Sequence, residues 1–419
     1  MAGRGNKIDE PEAVQGRLRD LPRGIWALGL VSMLMDISSE MIHALLPIYF
    51  VTVLGTSMVT VGAIEGIAEA TASIVKIFSG ALSDWLGRRK LLAAIGYGLA
   101  AFTKPVFPLA SSVGWLVGAR FVDRIGKGIR GAPRDALVAD LAPAQMRGAS
   151  FGLRQSLDTV GAFLGPLFAI GLMWATANDI KAVFWWAVPP AFLSLALIIF
   201  AVPEPARPTR PRKTENPMSL GGLKALGATF WWVVAVSGLF TLARFSDAFL
   251  VLRAQNVGVP IALVPAVMVL MNIVYAGIAT PAGFLSDRLG RQGILLIGFA
   301  WLIVADLLLA LVPSFAGLAL GVVAWGIHMG LTAGILTTLV ADTVPKELRG
   351  TAFGAFHFVS GIAMLAASLI AGLLWDGIGP AGTFLSGAGF TALALVGFLL
   401  LRERLNPSKT LDGEGEASL

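Results

Sequence analysis

The 419-residue sequence contains no cysteine, only three histidines and few charged residues. The absence of cysteine excludes a disulfide framework, a thiolate metal site and a cysteine nucleophile. Charged residues make up 14% of the chain, against about 25% in soluble proteins. By contrast, 56% of the residues are hydrophobic and the mean hydropathy is +0.77. This composition is typical of a protein embedded in a membrane.

Apolar runs long enough to cross a bilayer recur along the whole chain. A membrane-spanning helix needs about 20 consecutive apolar residues, and short polar breaks separate about twelve such runs. The predicted spans are 24–53, 59–84, 90–110, 114–139, 148–174, 183–202, 226–254, 261–286, 292–312, 315–341, 350–376 and 381–401. The sequence therefore predicts an all-α integral membrane protein with about 12 transmembrane helices.

A polar, proline-rich segment divides these spans into six and six. The first residues lack the apolar segment and cleavage site of a secretory signal, so we expect them to be retained. The predicted order is a cytoplasmic segment 1–23, a six-helix bundle 24–202, a cytoplasmic linker 203–225, a six-helix bundle 226–402 and a disordered tail 403–419.

Lysine and arginine concentrate in every second loop. Examples are Arg17, Arg19, Arg23, Arg88, Arg89, Lys90, Arg147, Arg207, Arg210, Arg288, Lys346, Arg349, Arg402 and Arg404. Because positive residues favour cytoplasmic loops, we expect both termini in the cytoplasm and the protein in the cell's inner membrane. Membrane topology thus accounts for the formal charge of +6, and we expect a lipid bilayer, and no nucleic acid, as partner.

The two halves contain an internal repeat. The stretch GALSDWLGRRKLL at Gly80 matches GFLSDRLGRQGIL at Gly283, 203 positions later. The stretch ADLAPAQMRGASFG at Ala139 matches ADTVPKELRGTAFG at Ala341, 202 positions later. Two matches at nearly the same separation indicate two six-helix units in the same orientation, a design found in transporters.

These residues resemble the major facilitator superfamily, in which the loop after the second helix of each half carries a gating motif. The matching positions are Gly80, Asp84, Gly87, Arg88, Arg89 and, in the second copy, Asp287 and Arg291. The resemblance implies a secondary transporter. Because one chain contains both halves, we expect a monomer, and because no catalytic motif is found, we expect neither an enzyme nor a cofactor. The resemblance also implies that Asp84 caps a neighbouring helix and that the arginines pair across the cytoplasmic surface in the outward-open state.

Three glycines of the fourth span, Gly126, Gly128 and Gly131, have the spacing of a nucleotide-binding loop. That loop requires a preceding strand, whereas the preceding GWLVGARFV belongs to a membrane-length helix. The charged residues of this span are more informative, because Arg120, Arg124, Lys127 and Arg134 follow helical spacing and form one cationic stripe.

Charges at membrane depth face a cavity or a partner, so we predict that this stripe binds substrate. The predicted substrate-binding residues are Arg120, Arg124, Lys127, Asp36, Glu40, His43, Arg244 and His328. The alternative is that the cations only neutralise nearby acids, and that His328 is an ordinary hydrogen-bonded residue.

Carboxylates buried near cations can take up and release protons, because burial favours the neutral form and a cation the charged form. The predicted proton-coupling residues are Asp36, Glu40, Glu65, Glu69, Asp158 and Asp247. The alternative for Asp158 and Asp247 is a structural ion pair with Arg154 and Arg244, respectively.

The fifth span contains Gly152, Gly161, Gly165 and Pro166, which resemble an antiporter motif of the same superfamily. The usual closing glycines are replaced by Ala169 and Ile170. The resemblance implies export, and the alternative is ordinary close packing of helices through glycine.

The sequence thus predicts a proton-coupled transporter that exports a small anionic or zwitterionic organic compound. A second hypothesis is a carrier of divalent metal or a metal chelate such as a siderophore, because Asp36, Glu40, His43, Glu65 and Glu69 offer metal ligands. A membrane-embedded hydrolase using Ser38 and His43 is a distant alternative, and a channel is disfavoured by the duplicated gate.

Overall fold

A computed structural model describes residues 21–204 and 220–401, apart from 333–335, 337, 338, 341, 342, 346 and 347. Every regular element in these ranges is a helix. Eleven segments are long and apolar enough to cross a membrane: Arg23–Val53, Met58–Ser83, Arg89–Leu109, Arg147–Ala175, Ile180–Phe200, Ala228–Asn256, Ile261–Gly283, Arg291–Leu311, Phe315–Thr332, Thr351–Ile378 and Pro380–Leu400.

The fourth predicted span is the helix Val113–Leu141, whose 29 residues are long enough to cross but carry many charges. Together with the eleven apolar segments, it confirms the predicted all-α membrane fold, and we number the spans in chain order. We call the end of the bundle at which the first span begins the inner end, and the opposite end the outer end.

In both copies of the repeated loop, a glycine with positive φ follows the helix. The second span is the helix Met58–Leu86, which ends at Gly87 with φ +60°. The eighth contains the helix Ala266–Leu289, followed by Gly290 with φ +76°. Only glycine adopts this left-handed backbone freely, which explains the glycine at this position of both copies.

The first and seventh spans are both interrupted. The first is helical over Arg23–His43 and continues through Leu46–Ile48 and Tyr49–Val53. The seventh consists of the helices Ala228–Ala243 and Ala248–Asn256. Interrupted helices in transporters are tolerated where they line a cavity.

Helix packing is the same in the two halves. In the first half, the first span packs on the fifth and sixth, and the third on the fourth and sixth. In the second half, the seventh packs on the eleventh and twelfth, and the ninth on the tenth and twelfth. The halves meet where the second span packs on the eleventh and the fifth on the eighth, which confirms a parallel repeat.

Glycines permit close approach between the second and eleventh spans. A methyl group on Gly62 would contact the carbonyl of Ser368, and one on Gly66 would lie 3.0 Å from the Cα of Leu365. Small residues at such positions let two membrane helices pack backbone to backbone. The halves are therefore in close contact beside the cavity described next.

Candidate functional site

A cavity of about 280 Å³ lies between the two halves. The first half contributes Glu40, His43, Pro47, Glu65, Glu69, Arg120, Arg124 and Lys127. The second half contributes Arg244, Phe245, Ser246, Asp247, Ala248, Val251, Met268 and Met364. The first half therefore supplies most of the charge, and the interrupted segment of the seventh span forms the opposite wall.

Two cations of the stripe are engaged by acids of the second span. Arg120 donates to Glu65 over 2.6 Å, and both side chains are almost completely buried, with 4% and 6% exposed. Arg124 lies 3.0 Å from Glu69, which is 35% exposed. These acids, predicted to couple protons, therefore neutralise arginines in this structure.

His43 connects Glu40 of the first span to Arg124 of the fourth. An arginine can only donate hydrogen bonds, so the histidine nitrogen that faces it must accept. Nε2 of His43 lies 3.2 Å from the guanidinium of Arg124, and Nδ1 lies 3.3 Å from Glu40. The geometry fits a neutral ring that donates from Nδ1 to Glu40.

Lys127 differs from the arginines beside it. Its side chain is exposed at the cavity, and it makes no hydrogen bond or ion pair within the described part of the chain. An ammonium group at membrane depth needs water or a counter-charge. The cavity thus presents a cation that no described protein group contacts through a hydrogen bond or ion pair.

Arg244 and Asp247 lie on the non-helical segment between the two helices of the seventh span. They line the cavity, but they form no ion pair with each other among the described residues. The Nε of Arg244 is buried and has no hydrogen-bond partner in the described residues. The break in the helix separates two side chains that continuous helical spacing would have paired.

A second charged cluster lies beside the cavity, towards the inner end of the fourth and fifth spans. Asp158 lies 3.4 Å from Arg154 and 3.7 Å from Arg134, and Arg134 lies 3.2 Å from Asp135. The pair of Asp158 and Arg154 that was the structural alternative is therefore present. Asp36 is half-buried and does not line the cavity.

The structure places His328 in the core of the second half and not at the cavity. The side chain is completely buried, its Nδ1 donates to the carbonyl of Gly298 over 3.2 Å, and its ring lies edge-on to Phe240.

The sequence analysis did not predict the apolar cavity-wall residues Phe245, Met268 and Met364. Only the proximity of Phe245 to Arg244 could have indicated one of them.

The glycines of the fifth span bring it against the acidic face of the first. A methyl group on Gly161 would lie 2.5 Å from the carbonyl of Met33, and one on Gly165 would lie 2.6 Å from the Cβ of Glu40. Gly152 has no such neighbour within 4 Å, and Pro166 lies inside the helix. Two of the motif glycines thus position the backbone that carries Asp36 and Glu40.

The gating motif anchors the inner end of the first half. Arg89 donates to Asp140 over 2.5 Å and to the carbonyl of Ala136 over 3.2 Å, both on the fourth span. Arg88 is exposed, and Gly80 faces Ala132. The side chains of Asp84 and Asp287 lie outside the described part of the structure, as do residues 1–20 and 205–219 with their predicted charges.

The candidate metal ligands do not converge on one point. Glu65 and Glu69 are engaged by arginines, and His43 faces the guanidinium of Arg124. Across the described ranges, no three histidine, aspartate or glutamate side chains are grouped so that they could hold a metal ion. Two of these acids are therefore already paired with arginines instead of being available to a metal ion.

The comparisons with other proteins agree with this architecture. The profile of the Major Facilitator Superfamily matches residues 28–254 and 239–418. An uncharacterized MFS-type transporter of Methanocaldococcus jannaschii is 34% identical over 395 residues, which cover 91% of this chain and 95% of that protein. The inner membrane transport protein YajR of Escherichia coli is 25% identical over 389 residues, covering 89% and 82%.

A solved structure has the same fold at low sequence identity. A bacterial homologue of the human lysosomal transporter Spinster, in an inward-facing and unoccupied conformation, aligns with a TM-score of 0.71 and 18% identity. The alignment covers 90% of this chain and 96% of that chain.

Proposed function

Because the chain belongs to the major facilitator superfamily of transporters, we propose that it is a monomeric, proton-coupled secondary transporter. In this proposal, it exports a small anionic or zwitterionic organic compound across the inner membrane. The two halves alternate in opening the cavity to either side. The distribution of lysine and arginine supports cytoplasmic termini.

The observation that carries the substrate class is the ammonium group of Lys127, which lies at the cavity and makes no ion pair within the described part of the chain. A carboxylate, phosphate or sulfonate on the substrate would supply a direct ion pair. Arg244 on the opposite wall offers a second cation. An anionic group held between Lys127 and Arg244 would contact both halves.

Asp247 gives the same wall a negative charge. A substrate with an amine and an acid could therefore place the acid near Lys127 and the amine near Asp247. A purely anionic substrate would leave Asp247 unused. The two substrate classes are distinguished by the loss of zwitterion binding in Asp247→Asn.

Proton coupling is supported by the contacts of Glu40. Its carboxylate lies at the cavity and reaches Arg124 through His43. A proton taken up by Glu40 or His43 would change the charge beside Arg124 and so the attraction for an anion in the same cavity. Proton and substrate could then exchange, as export by antiport requires.

The resemblance of the fifth span to an antiporter motif supports the direction of transport. Gly161 and Gly165 pack against the helix that carries Asp36 and Glu40. We propose that they let this helix shift against the fifth span during the transport cycle. The divalent-metal hypothesis has less support, because arginines occupy its best ligands.

The test uses purified protein in proteoliposomes that contain a pH-sensitive dye. Small organic anions, zwitterions, organic cations and divalent metals are added in turn, and substrate-evoked proton flux is recorded. We expect flux with anions or zwitterions and a loss of at least about tenfold in apparent affinity in Lys127→Met, since about 1.4 kcal/mol of binding corresponds to a factor of ten.

Lys181→Met is the matched control, because Lys181 is an exposed lysine at the start of the sixth span, outside the cavity. Its affinity should equal that of the unaltered protein. Flux evoked by metals alone, or an unchanged affinity in Lys127→Met, would contradict the proposal.

A further inference from the structure

The side chain of Asp376 forms hydrogen bonds that join the two halves. This residue lies at the outer end of the eleventh span. Its Oδ1 accepts a hydrogen bond from the backbone N–H of Met58 over 3.1 Å, and its Oδ2 accepts one from Val59 over 2.9 Å. A carboxylate of the second half thus binds the first two residues of the second span.

The N-terminus of the second span is capped jointly by the two halves. The first N–H groups of a helix have no partner within the helix. Ser57 accepts from the N–H of Thr60 through its hydroxyl over 3.2 Å, and Asp376 satisfies those of Met58 and Val59. The negative carboxylate also lies at the positive end of the helix dipole.

The same region is closely packed across the interface. One turn before Asp376, a methyl group on Gly372 would lie 2.5 Å from the carbonyl of Met58. At the same end, the segment Leu46–Ile48 of the first span packs on the helix Ala248–Asn256 of the seventh. Pro47 of the first segment and Ala248 and Val251 of the second line the cavity, so this packing forms part of its outer wall.

We infer that Asp376 is a positioning residue that holds the outer end of the cavity closed. Its two hydrogen bonds join a helix of one half to a helix of the other, so they must break when the halves separate at that end. The inference rests on the alternating-access part of the proposed function. It is independent of the identity of the substrate and of proton coupling.

Asp179 provides a matched control. Its Oδ1 accepts from the N–H groups of Lys181 over 2.9 Å and Ala182 over 3.2 Å, at the outer end of the sixth span. The chemistry and the side of the bundle are the same as for Asp376. The contact stays within one half, however, so its loss should not affect the separation of the halves.

The experiment uses the absence of native cysteine. Ser111→Cys in the first half and Pro313→Cys in the second place spin labels on two exposed outer loops, at positions 202 apart in the sequence. Distances between the labels are measured by pulsed electron paramagnetic resonance in lipid nanodiscs. The same pair is measured with Asp376→Ala, Asp376→Asn and Asp179→Ala.

We expect Asp376→Ala to shift the ratio of closed to open outer ends by about fivefold towards longer distances, because a lost helix cap is worth about a factor of five. Asp376→Asn should give a smaller shift, since the amide keeps one acceptor oxygen. Asp179→Ala should leave the distances unchanged. Both alanine variants should lower the midpoint of thermal unfolding to a similar extent.

Unchanged distances in both Asp376 variants would overturn the inference. An equal widening in Asp179→Ala would also overturn it, because loosening would then follow from the loss of any outer cap. If Asp376→Ala does not fold, the distances measured in Asp376→Asn test the inference on their own. A shift in distance without any substrate-evoked proton flux would reject the proposed substrate and coupling but retain this role of Asp376.

Discussion

The two halves of this transporter share one helix arrangement but stabilise it with different chemistry. Gly96 of the third span packs against Arg130, and Gly298 of the ninth packs against Thr332. Gly298 lies 202 positions after Gly96, and Thr332 lies 202 positions after Arg130. The third and fourth spans therefore pack in the same register as the ninth and tenth. Residues at that separation can therefore be compared directly.

The cations of the fourth span have uncharged counterparts in the tenth. The pairs are Arg120 and Val322, Arg124 and Gly326, Lys127 and Met329, and Arg130 and Thr332. The buried pair of Lys104 and Asp123, 2.9 Å apart, corresponds to Asp306 and Trp325. The duplication thus preserved the backbone packing, whereas the cations of the fourth span have no charged counterparts in the tenth.

Aromatic rings occupy the corresponding region of the second half. Phe245 packs against Phe249, Trp325 and Phe384 with ring centroids 5.5 to 5.6 Å apart, and Phe240 stacks on Phe299 at 4.3 Å. Ring packing depends on shape and buried area, whereas an ion pair depends on both partners. The comparison indicates that buried ion pairs join the helices of the first half, whereas aromatic packing joins those of the second.

The largest effect is expected where a buried charge loses its partner. Asp123→Asn would leave the ammonium of Lys104 buried without a counter-charge, and we expect a loss of about 3 to 5 kcal/mol of unfolding free energy. Asp306→Asn is the matched variant in the second half. Both carboxyl oxygens of Asp306 are buried and have no partner among the described residues, so an amide of the same shape should cost less than about 1 kcal/mol.

Unfolding in mixed detergent micelles measures both variants. Equal loss of stability in Asp123→Asn and Asp306→Asn would contradict the proposed difference between the halves. It would mean that the second half also depends on a buried charged group.

An intermediate effect is expected in the aromatic core. Phe299→Leu keeps an apolar side chain but removes the stacked ring contact with Phe240, and we expect a loss of about 1 to 2 kcal/mol. Phe200→Leu is the control, because Phe200 is 84% exposed on the outside of the sixth span. The same unfolding assay compares them, and similar losses would show that ring packing does not stabilise the second half.

The smallest effect is expected at Asp158, whose side chain is 21% exposed. Asp158 and Arg154 correspond to Ser360 and Phe356 of the second half, so this ion pair is not needed for the shared packing. Asp158→Asn should cost less than about 1 kcal/mol, because Asp135 lies 3.2 Å from Arg134 and 3.8 Å from Arg154 and remains as a counter-charge to both. If Asp158 also carries a proton, the pH dependence of transport will flatten in this variant despite its small effect on stability. A large loss of stability would instead assign Asp158 a structural role.

The sequence alone determined the number of spans, the parallel repeat and the family resemblance. Hydrophobic length is a local property, and helical spacing placed Arg120, Arg124 and Lys127 on one face of the fourth span. The glycine after each repeated helix could also be placed, because a left-handed backbone is a local requirement.

Only the tertiary structure decided which charges meet. Arg120 pairs with Glu65 across 55 positions of sequence, and Asp376 reaches Met58 and Val59 across more than 300. The break at Arg244 and the burial of His328 were equally hidden, because no proline or glycine marks the break and an apolar span looks alike on every face. Such contacts depend on the rotation and register of whole helices against one another, which local sequence patterns do not encode.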